Sequence, residues 1–327
     1  MTTVLLTGAS GFLGGHLLRE LRATGCEVRA LSRRSESDAV IAAAGAMPVR
    51  AALADQAALA AALEGCAAVF HAAADTSMWR PRAVAQTATN VQGTANLLRA
   101  AGHAGVQAFM HTSSVSAWSH RVHGIIDESA PQQGGGSWIN YERSKFLGEQ
   151  LVRGSPLPWI VFNPSHILGP GDRHNWARLI MLIDREKLPG IPPGVGAFAD
   201  VREIARAQVR AWQRQRFGQT YLLGGEQASF VDFVHRVGAA LGRRTPRRAT
   251  PAWALMGFAR VVDAWSRLSG REPDVTPEAA ALTSHVLRVD SGKARRELDY
   301  VEPPLDVLLA DMLDWMRGEG MIGRTTH

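Results

Sequence analysis

The chain has 327 residues, 46% of them apolar, and a formal net charge of +6 at neutral pH. That length and apolar share exclude a disordered chain and are ample for one large domain or two unequal ones. No run reaches the ~18 unbroken apolar residues of a membrane span, and the arginines look scattered along the chain, so neither nucleic acid nor a membrane is expected as a partner.

The first apolar run, TVLLT, ends in TGASGFLG and a helical pattern, GGHLLRELRA. Strand, glycine turn and helix in that order form a phosphate cradle. Gly8 makes the tight turn, Gly11 lets the backbone approach a pyrophosphate, and Gly14 lets helix and strand pack closely. The helix N-terminus then faces the negative charge. The second run, EVRALS, ends in Ser32 where a ribose-binding carboxylate usually stands, and Arg33 and Arg34 follow. Arginine pairs with an extra ribose phosphate that a carboxylate would repel, so NADP(H) is favoured over NAD(H).

The alternation continues through SDAVIAAAG, AAVFHAAA, ATNVQGTANLLRAAGHAG, QAFMHTSS, YERSKFLGEQLVRG and PWIVFNP. Repeated βαβ units with continuous apolar strands predict an α/β fold, a doubly wound parallel sheet over residues 1–163. Residues 164–327 are expected to form mainly a smaller helical substrate lobe, with some segments returning to the sheet. Its helices are read at VREIARAQVRAW, FVDFVHRVGAAL, AWALMGFARVVDAW and PLDVLLADMLDWM. Cys26 and Cys66 read as reduced core residues, no histidine spacing suits a metal, and the amino terminus has no export pattern, which points to a cytoplasmic home.

The run QAFMHTSS ends in hydroxyls, and Tyr141 follows Ser114 by 27 residues, with Lys145 one helical turn beyond. That spacing puts phenol and ammonium on one helix face. A tyrosine is a poor acid or base near neutrality until a cation stabilises its phenolate, so Lys145 is assigned that task and the nicotinamide ribose. Ser114 would steady the substrate oxygen and Tyr141 exchange its proton. Alternation along a strand leaves Ser113 as a rival to Ser114.

TGASGFLG, HAAA, NVQGTANLLRA, HTSS, YERSK and NPSHILGPGD, in this order, resemble the extended short-chain dehydrogenase/reductase family (NAD-dependent epimerase/dehydratase) over nearly the whole chain. The likeness is nearest to dihydroflavonol-reductase-like and 3β-hydroxysteroid-dehydrogenase-like members. It selects Ser114 over Ser113. It implies that Ser10, Phe12, Leu13, Leu53, Ala72, Ala73, Ala74, Asn90, Thr112, Pro164 and Ser165 join the glycines, the two arginines and Lys145 around the cofactor, and it admits a homodimer. Two departures stand out: RAALAD has Ala52 and Leu53 where an adenine-binding acid is usual, and NPSHILG has Asn163 and His166 where nucleotide-sugar enzymes carry other residues.

Trp79, Trp118, Trp138, His166 and Trp176 lie in segments expected to face the nicotinamide, and suit a hydrophobic carbonyl compound. The reading is an NADP(H)-dependent oxidoreductase acting on an apolar or aromatic ketone or secondary alcohol. The alternatives are a nucleotide-sugar epimerase or dehydratase with tightly bound NAD, for which Arg80, Arg121, Arg173 and Arg178 could meet a diphosphate, and a dinucleotide sensor without turnover.

Overall fold

A computed structural model describes residues 1–323. In chain order its first half runs β1 (Thr3–Thr7), α1 (Phe12–Ala23), β2 (Glu27–Ser32), α2 (Ser35–Ala43), β3 (Met47–Arg50), α3 (Gln56–Leu63), β4 (Ala68–His71), α4 (Ala83–Thr87), α5 (Gly93–His103), β5 (Ala108–Thr112), β6 (Ile125–Ile126), α6 (Asn140–Arg153) and β7 (Trp159–Pro164). The second half runs β8 (His166–Leu168), α7 (Trp176–Asp184), β9 (Val195–Asp200), α8 (Val201–Gln213), β10 (Gln219–Leu223), β11 (Glu226–Ser229), α9 (Phe230–Leu241), α10 (Ala252–Ser269), α11 (Pro277–Thr283), β12 (Arg288–Val289), α12 (Gly292–Leu298) and α13 (Leu305–Gly318).

Seven strands form one parallel sheet in the order β10-β7-β5-β4-β1-β2-β3. The order reverses between β1 and β4, so the chain ends of both strands open onto one crevice, where ligands of such sheets bind. One face is filled by Val4, Leu6, Leu17, Leu18, Phe70 and Met110, the other by Leu5, Leu59, Val69, Leu97 and Phe109. Adjacent residues of each strand point to opposite cores, which is why the strands read as unbroken apolar runs.

The second half is less separate than its helical rhythm suggests. Ile204, Ala205, Ala207 and Val209 of α8, and Ala294 and Leu298 of α12, belong to the core under β1, β2 and β4, and β10 pairs with β7. The segment VREIARAQVRAW is therefore a flank of the sheet, not a helix of the lobe. The lobe core is formed by α7, α9 and α13 around Phe198, Phe230, Phe233 and Met312, with β11, β9 and β8 as a small sheet beside it. Cys26 and Cys66 are buried free thiols.

Candidate active site

The glycine turn has the geometry its sequence calls for. Gly8 adopts a left-handed φ of +77°, and a Cβ there would meet the Ala73 nitrogen at 2.8 Å. A Cβ on Gly14 would lie 1.9 Å from the Gly8 carbonyl oxygen, so any side chain would push α1 off the strand. Gly11 caps α1, is exposed, and donates from its amide to the Gly8 oxygen at 2.9 Å. The open helix end with its free amides fits a dinucleotide pyrophosphate.

Ser10 is exposed at the same turn, Phe12 packs edge-on against His16, and Leu13 rests on the core. Ala72, Ala73 and Ala74 run half-buried beside Gly8. Leu53 is wedged against Gly93, where a Cβ would sit 2.9 Å from its methyl carbon. Ser165 turns away and donates to the Ala197 carbonyl oxygen at 2.7 Å, beside a buried Pro164.

Arg33 and Arg34 are exposed at the end of β2 and enter no ion pair among the described residues. The buried Ser32 hydroxyl donates to the Arg34 carbonyl oxygen at 3.0 Å and to the Asp38 carboxylate. Asp38 also pairs with Arg50, and the hydrogen bonds from Ser32 and Arg50 hold its carboxyl below the ordinary value. The acid absent from the strand end thus returns from the first turns of α2, six positions on, where spacing along the chain gives no sign of it.

Ser114, Tyr141 and Lys145 converge at the C-terminal end of β5. The Ser114 hydroxyl lies near enough to the Tyr141 phenol to pull its pKa down, and its Oγ accepts from the Ser116 amide at 3.1 Å. Ser113, on the alternate face, is buried with an unpartnered hydroxyl. Lys145 Nζ donates to the Thr112 carbonyl oxygen at 2.8 Å. The Thr112 hydroxyl itself turns to Gln208 at 3.1 Å, so it is this residue's carbonyl oxygen that faces the site.

Burial dominates the electrostatics. It pushes the Tyr141 phenol above its ordinary value, against a smaller opposing pull from Ser114. It lowers Lys145 to about 8, while Glu149 one turn on pulls the other way. Glu149 is fully buried, accepting from Asn163 at 2.7 Å and pairing with Arg153 at 2.7 Å. Asn163 also donates to the Ser114 carbonyl oxygen at 3.0 Å, which ties the serine's backbone to α6.

Asn90 sits on a π-helical turn between α4 and α5, an irregularity common at functional sites. Its Oδ1 accepts from the Asp75 amide at 2.8 Å, and its Nδ2 donates to the Asp75 carbonyl oxygen at 2.9 Å and to Ser144 Oγ at 3.0 Å. The network continues beneath the crevice. Thr94 Oγ1 donates to the Asn90 carbonyl oxygen, so it accepts from His71 Nε2 at 3.0 Å; His71 Nδ1 then accepts from Thr7 Oγ1 at 2.7 Å. Burial, then the Lys145 charge, lower His71 to about 3, so it is a neutral strut between the strand of the glycine turn and α5.

Glu142, next to Tyr141 and fully buried, accepts from Ser119 Oγ at 2.8 Å and the His120 amide at 2.5 Å. Ser119 holds a left-handed φ of 77° there, strain that the Glu142 bonds compensate.

Tyr141 opens into a cavity of ≈140 Å³ lined also by Met78, Trp79, Trp138, Ile139 and Glu278. Trp79 and Trp138 are therefore beside the phenol. The other three aromatic candidates are not. Trp118 is a core side chain, 1% exposed, whose indole donates to the Ala130 carbonyl oxygen. Trp176 packs among Phe198, Phe230 and Phe233, and His166 packs on Trp176 and Phe198 with its pKa lowered to about 4 by burial. Trp118 is corrected to a core position, and Trp176 and His166 to half-buried positions in the aromatic cluster of the lobe, because large aromatic side chains satisfy an apolar interior as readily as a cleft. A larger cavity of ≈310 Å³, between Ile183, Leu188 and Pro246, holds none of the candidate catalytic residues.

Comparison with known proteins settles the family. The model of the NAD dependent epimerase/dehydratase family matches residues 4–224. This chain belongs to that family. It is an NAD(P)-dependent enzyme of the extended short-chain dehydrogenase type with reductase-like relatives. A Synechocystis sp. protein, provisionally named dihydroflavonol 4-reductase, is 28% identical over 97% of this chain and 95% of its own. The 4-hydroxy-2-methyl-3-oxo-4-farnesyl-3,4-dihydroquinoline-1-oxide ketoreductase of Stigmatella aurantiaca is 30% identical over 90% of each chain. Among solved structures, that of gox2253 aligns with a TM-score of 0.84 at 31% identity, covering 99% of this chain and 100% of the other.

Proposed function

We propose that the protein is an NADP(H)-dependent reductase or dehydrogenase for an apolar or aromatic ketone or secondary alcohol, with Tyr141 as the proton-exchanging residue. The observation that carries this reading is that Tyr141, with Ser114 beside it, lines a cavity that Trp79 and Trp138 also line. The pyrophosphate would lie on the glycine turn and the amino end of α1, the ribose phosphate against Arg33 and Arg34, and the nicotinamide ribose at Lys145. A bound nicotinamide supplies or accepts hydride. Ser114 holds the substrate oxygen, Tyr141 gives that oxygen its proton in reduction or takes it in oxidation, and Lys145 keeps a positive charge beneath the phenol. Indole walls exclude water from the reacting carbon. A small-molecule carbonyl partner and a cytoplasmic setting belong to the same reading.

The nucleotide-sugar reading needs convergent free cations for a diphosphate. Arg80 pairs with Glu278 at 3.0 Å, Arg178 with Asp274, and Arg173 with Glu319, which leaves Arg121, and Arg143 at the cavity, in no ion pair among the described residues. The test is a fluorescence titration with NADPH and NADH followed by a screen of aryl and alicyclic ketones for NADPH consumption, with Tyr141→Phe as control. Tighter NADPH binding and ketone-dependent oxidation lost in the phenylalanine variant are expected. Preference for NADH, or interconversion of nucleotide sugars without net cofactor turnover, would overturn the reading.

A further inference from the structure

Helix α10 presents an unpartnered face. Trp253, Val261, Trp265 and Leu268 are 70–83% exposed and Phe258 is 50% exposed. With 100° per residue they fall, together with Ala254, Gly257 and Ala264, within an arc of about 140° that contains no charged residue. Arg260 and Arg267 border that arc, and Arg247, Arg248 and Arg271 flank the helix ends. Residues 243–271 hold seven arginines and one acid, Asp263, which is +7 − 1 = +6, the formal net charge of the whole chain. Arg247, Arg248, Arg260 and Arg271 are exposed and form no ion pair among the described residues. Among arginines that look scattered along the sequence, these seven fall within one stretch of 29 residues that carries an apolar stripe.

We infer that α10 docks this protein on an anionic lipid surface, lying in the interface with its apolar face inward and its arginines at the headgroups. Tryptophan, phenylalanine and leucine on one face of a helix rimmed by arginine are what an interfacial helix requires. No helix among the described residues is long and apolar enough to cross a membrane, so the helix lies on the surface and does not span it. A second copy of this chain fits less well, since pairing the same face would bring +6 against +6.

The opposite side of α10 rests on the site. Ser266 Oγ accepts from the Trp79 indole at 3.2 Å, and just past the helix Glu272 accepts from Ser77 Oγ at 2.7 Å. Trp79 walls the cavity that holds Tyr141. Docking would hold the Trp79 wall of the cavity one helix diameter, ~10 Å, from the bilayer, from which an apolar carbonyl compound could reach it. That last step rests on the reductase reading, while the docking itself does not.

The test is co-sedimentation of the full chain with vesicles of phosphatidylcholine alone or mixed with phosphatidylglycerol. Binding is expected only with the anionic lipid, and to weaken with salt. Replacing Arg247 and Arg248 by alanine should weaken it by about fivefold per arginine. The Trp253→Ser, Trp265→Ser, Leu268→Ser triple variant should lose on the order of a hundredfold, with unchanged melting and unchanged NADPH oxidation on a water-soluble ketone. No binding to anionic vesicles, equal binding to neutral ones, or a wild-type dimer that the triple variant dissociates would overturn the proposal. Because sedimentation needs no turnover, a failed ketone screen would count against the reductase reading and leave docking standing.

Discussion

Replacing Lys145 by methionine should stabilise the fold near neutrality while abolishing activity, and the gain should fade as pH rises. Burial lowers this lysine from 10.5 to about 8, which corresponds to about 3 kcal/mol of unfavourable charge burial. Methionine keeps much of the stem and removes the charge; the lost bond to the Thr112 carbonyl oxygen gives back about 1 kcal/mol. The variant should therefore be about 2 kcal/mol more stable at pH 7. Below about 8 the lysine is charged in both folded and unfolded chains, so the wild type bears the full penalty. Between about 8 and the unfolded value of about 10.4 the native lysine is neutral while the unfolded one still binds a proton, and wild-type stability rises relative to the variant. Urea denaturation of both proteins from about pH 6.5 to about pH 9.5 should show the difference shrinking by about 2 kcal/mol. Parallel stability curves, or a variant less stable at neutral pH, would refute the account of a charge held against its solvation.

Gly14→Ala should abolish cofactor binding or soluble expression, because its Cβ would stand 1.9 Å from the Gly8 oxygen; a dinucleotide titration against wild type checks it. Asn90→Ala leaves the Asp75 amide without its acceptor, while Gln86 still donates to the Asp75 carbonyl oxygen and the Ser144 hydroxyl to that of Tyr141, so it should cost about 2 kcal/mol in denaturation and lower kcat more than cofactor affinity. Asp38→Asn removes the carboxylate at the end of β2 and frees Arg50 from its pair; the NADPH to NADH affinity ratio should rise severalfold. Trp79→Ala should raise the kcat/KM of a bulky aryl ketone relative to a small one by about tenfold, measured with folded protein, since that indole walls the cavity.

The sheet and the glycine turn were legible because each follows from local rules: buried parallel strands are apolar throughout, and a chain reversal under a helix end needs glycine at fixed places. Tyr141 and Lys145 were legible as a pair because a helix fixes what four residues of spacing means. What joins them to the rest was not. Asp75, Glu149 and Asn163 are ordinary polar residues until the fold brings Asp75 to Asn90, and Asn163 to Glu149 and the Ser114 backbone. The strand β10 and helix α8 belong to the sheet through contacts between distant parts of the chain, and no periodicity announces such partners. Trp118 and Trp176 have the composition of a pocket wall, yet one lies in a core and the other packs half-buried against one. The arginines around α10 needed the helix wheel and the exposure of its face before they formed a patch.

The protonation state of the site bears on the direction of the chemistry. Burial raises the phenol and lowers the ammonium, so each group is pressed towards its neutral form. At neutral pH a lysine near 8 keeps most of its charge, whereas a tyrosine raised above its ordinary value is a phenol almost without exception. Such a site begins with a proton to give. Reduction of a carbonyl uses that proton directly, whereas oxidation of an alcohol requires that the phenol first lose it. The two directions therefore differ in the step the phenol must take before hydride moves, while the redox state of the dinucleotide sets which direction runs.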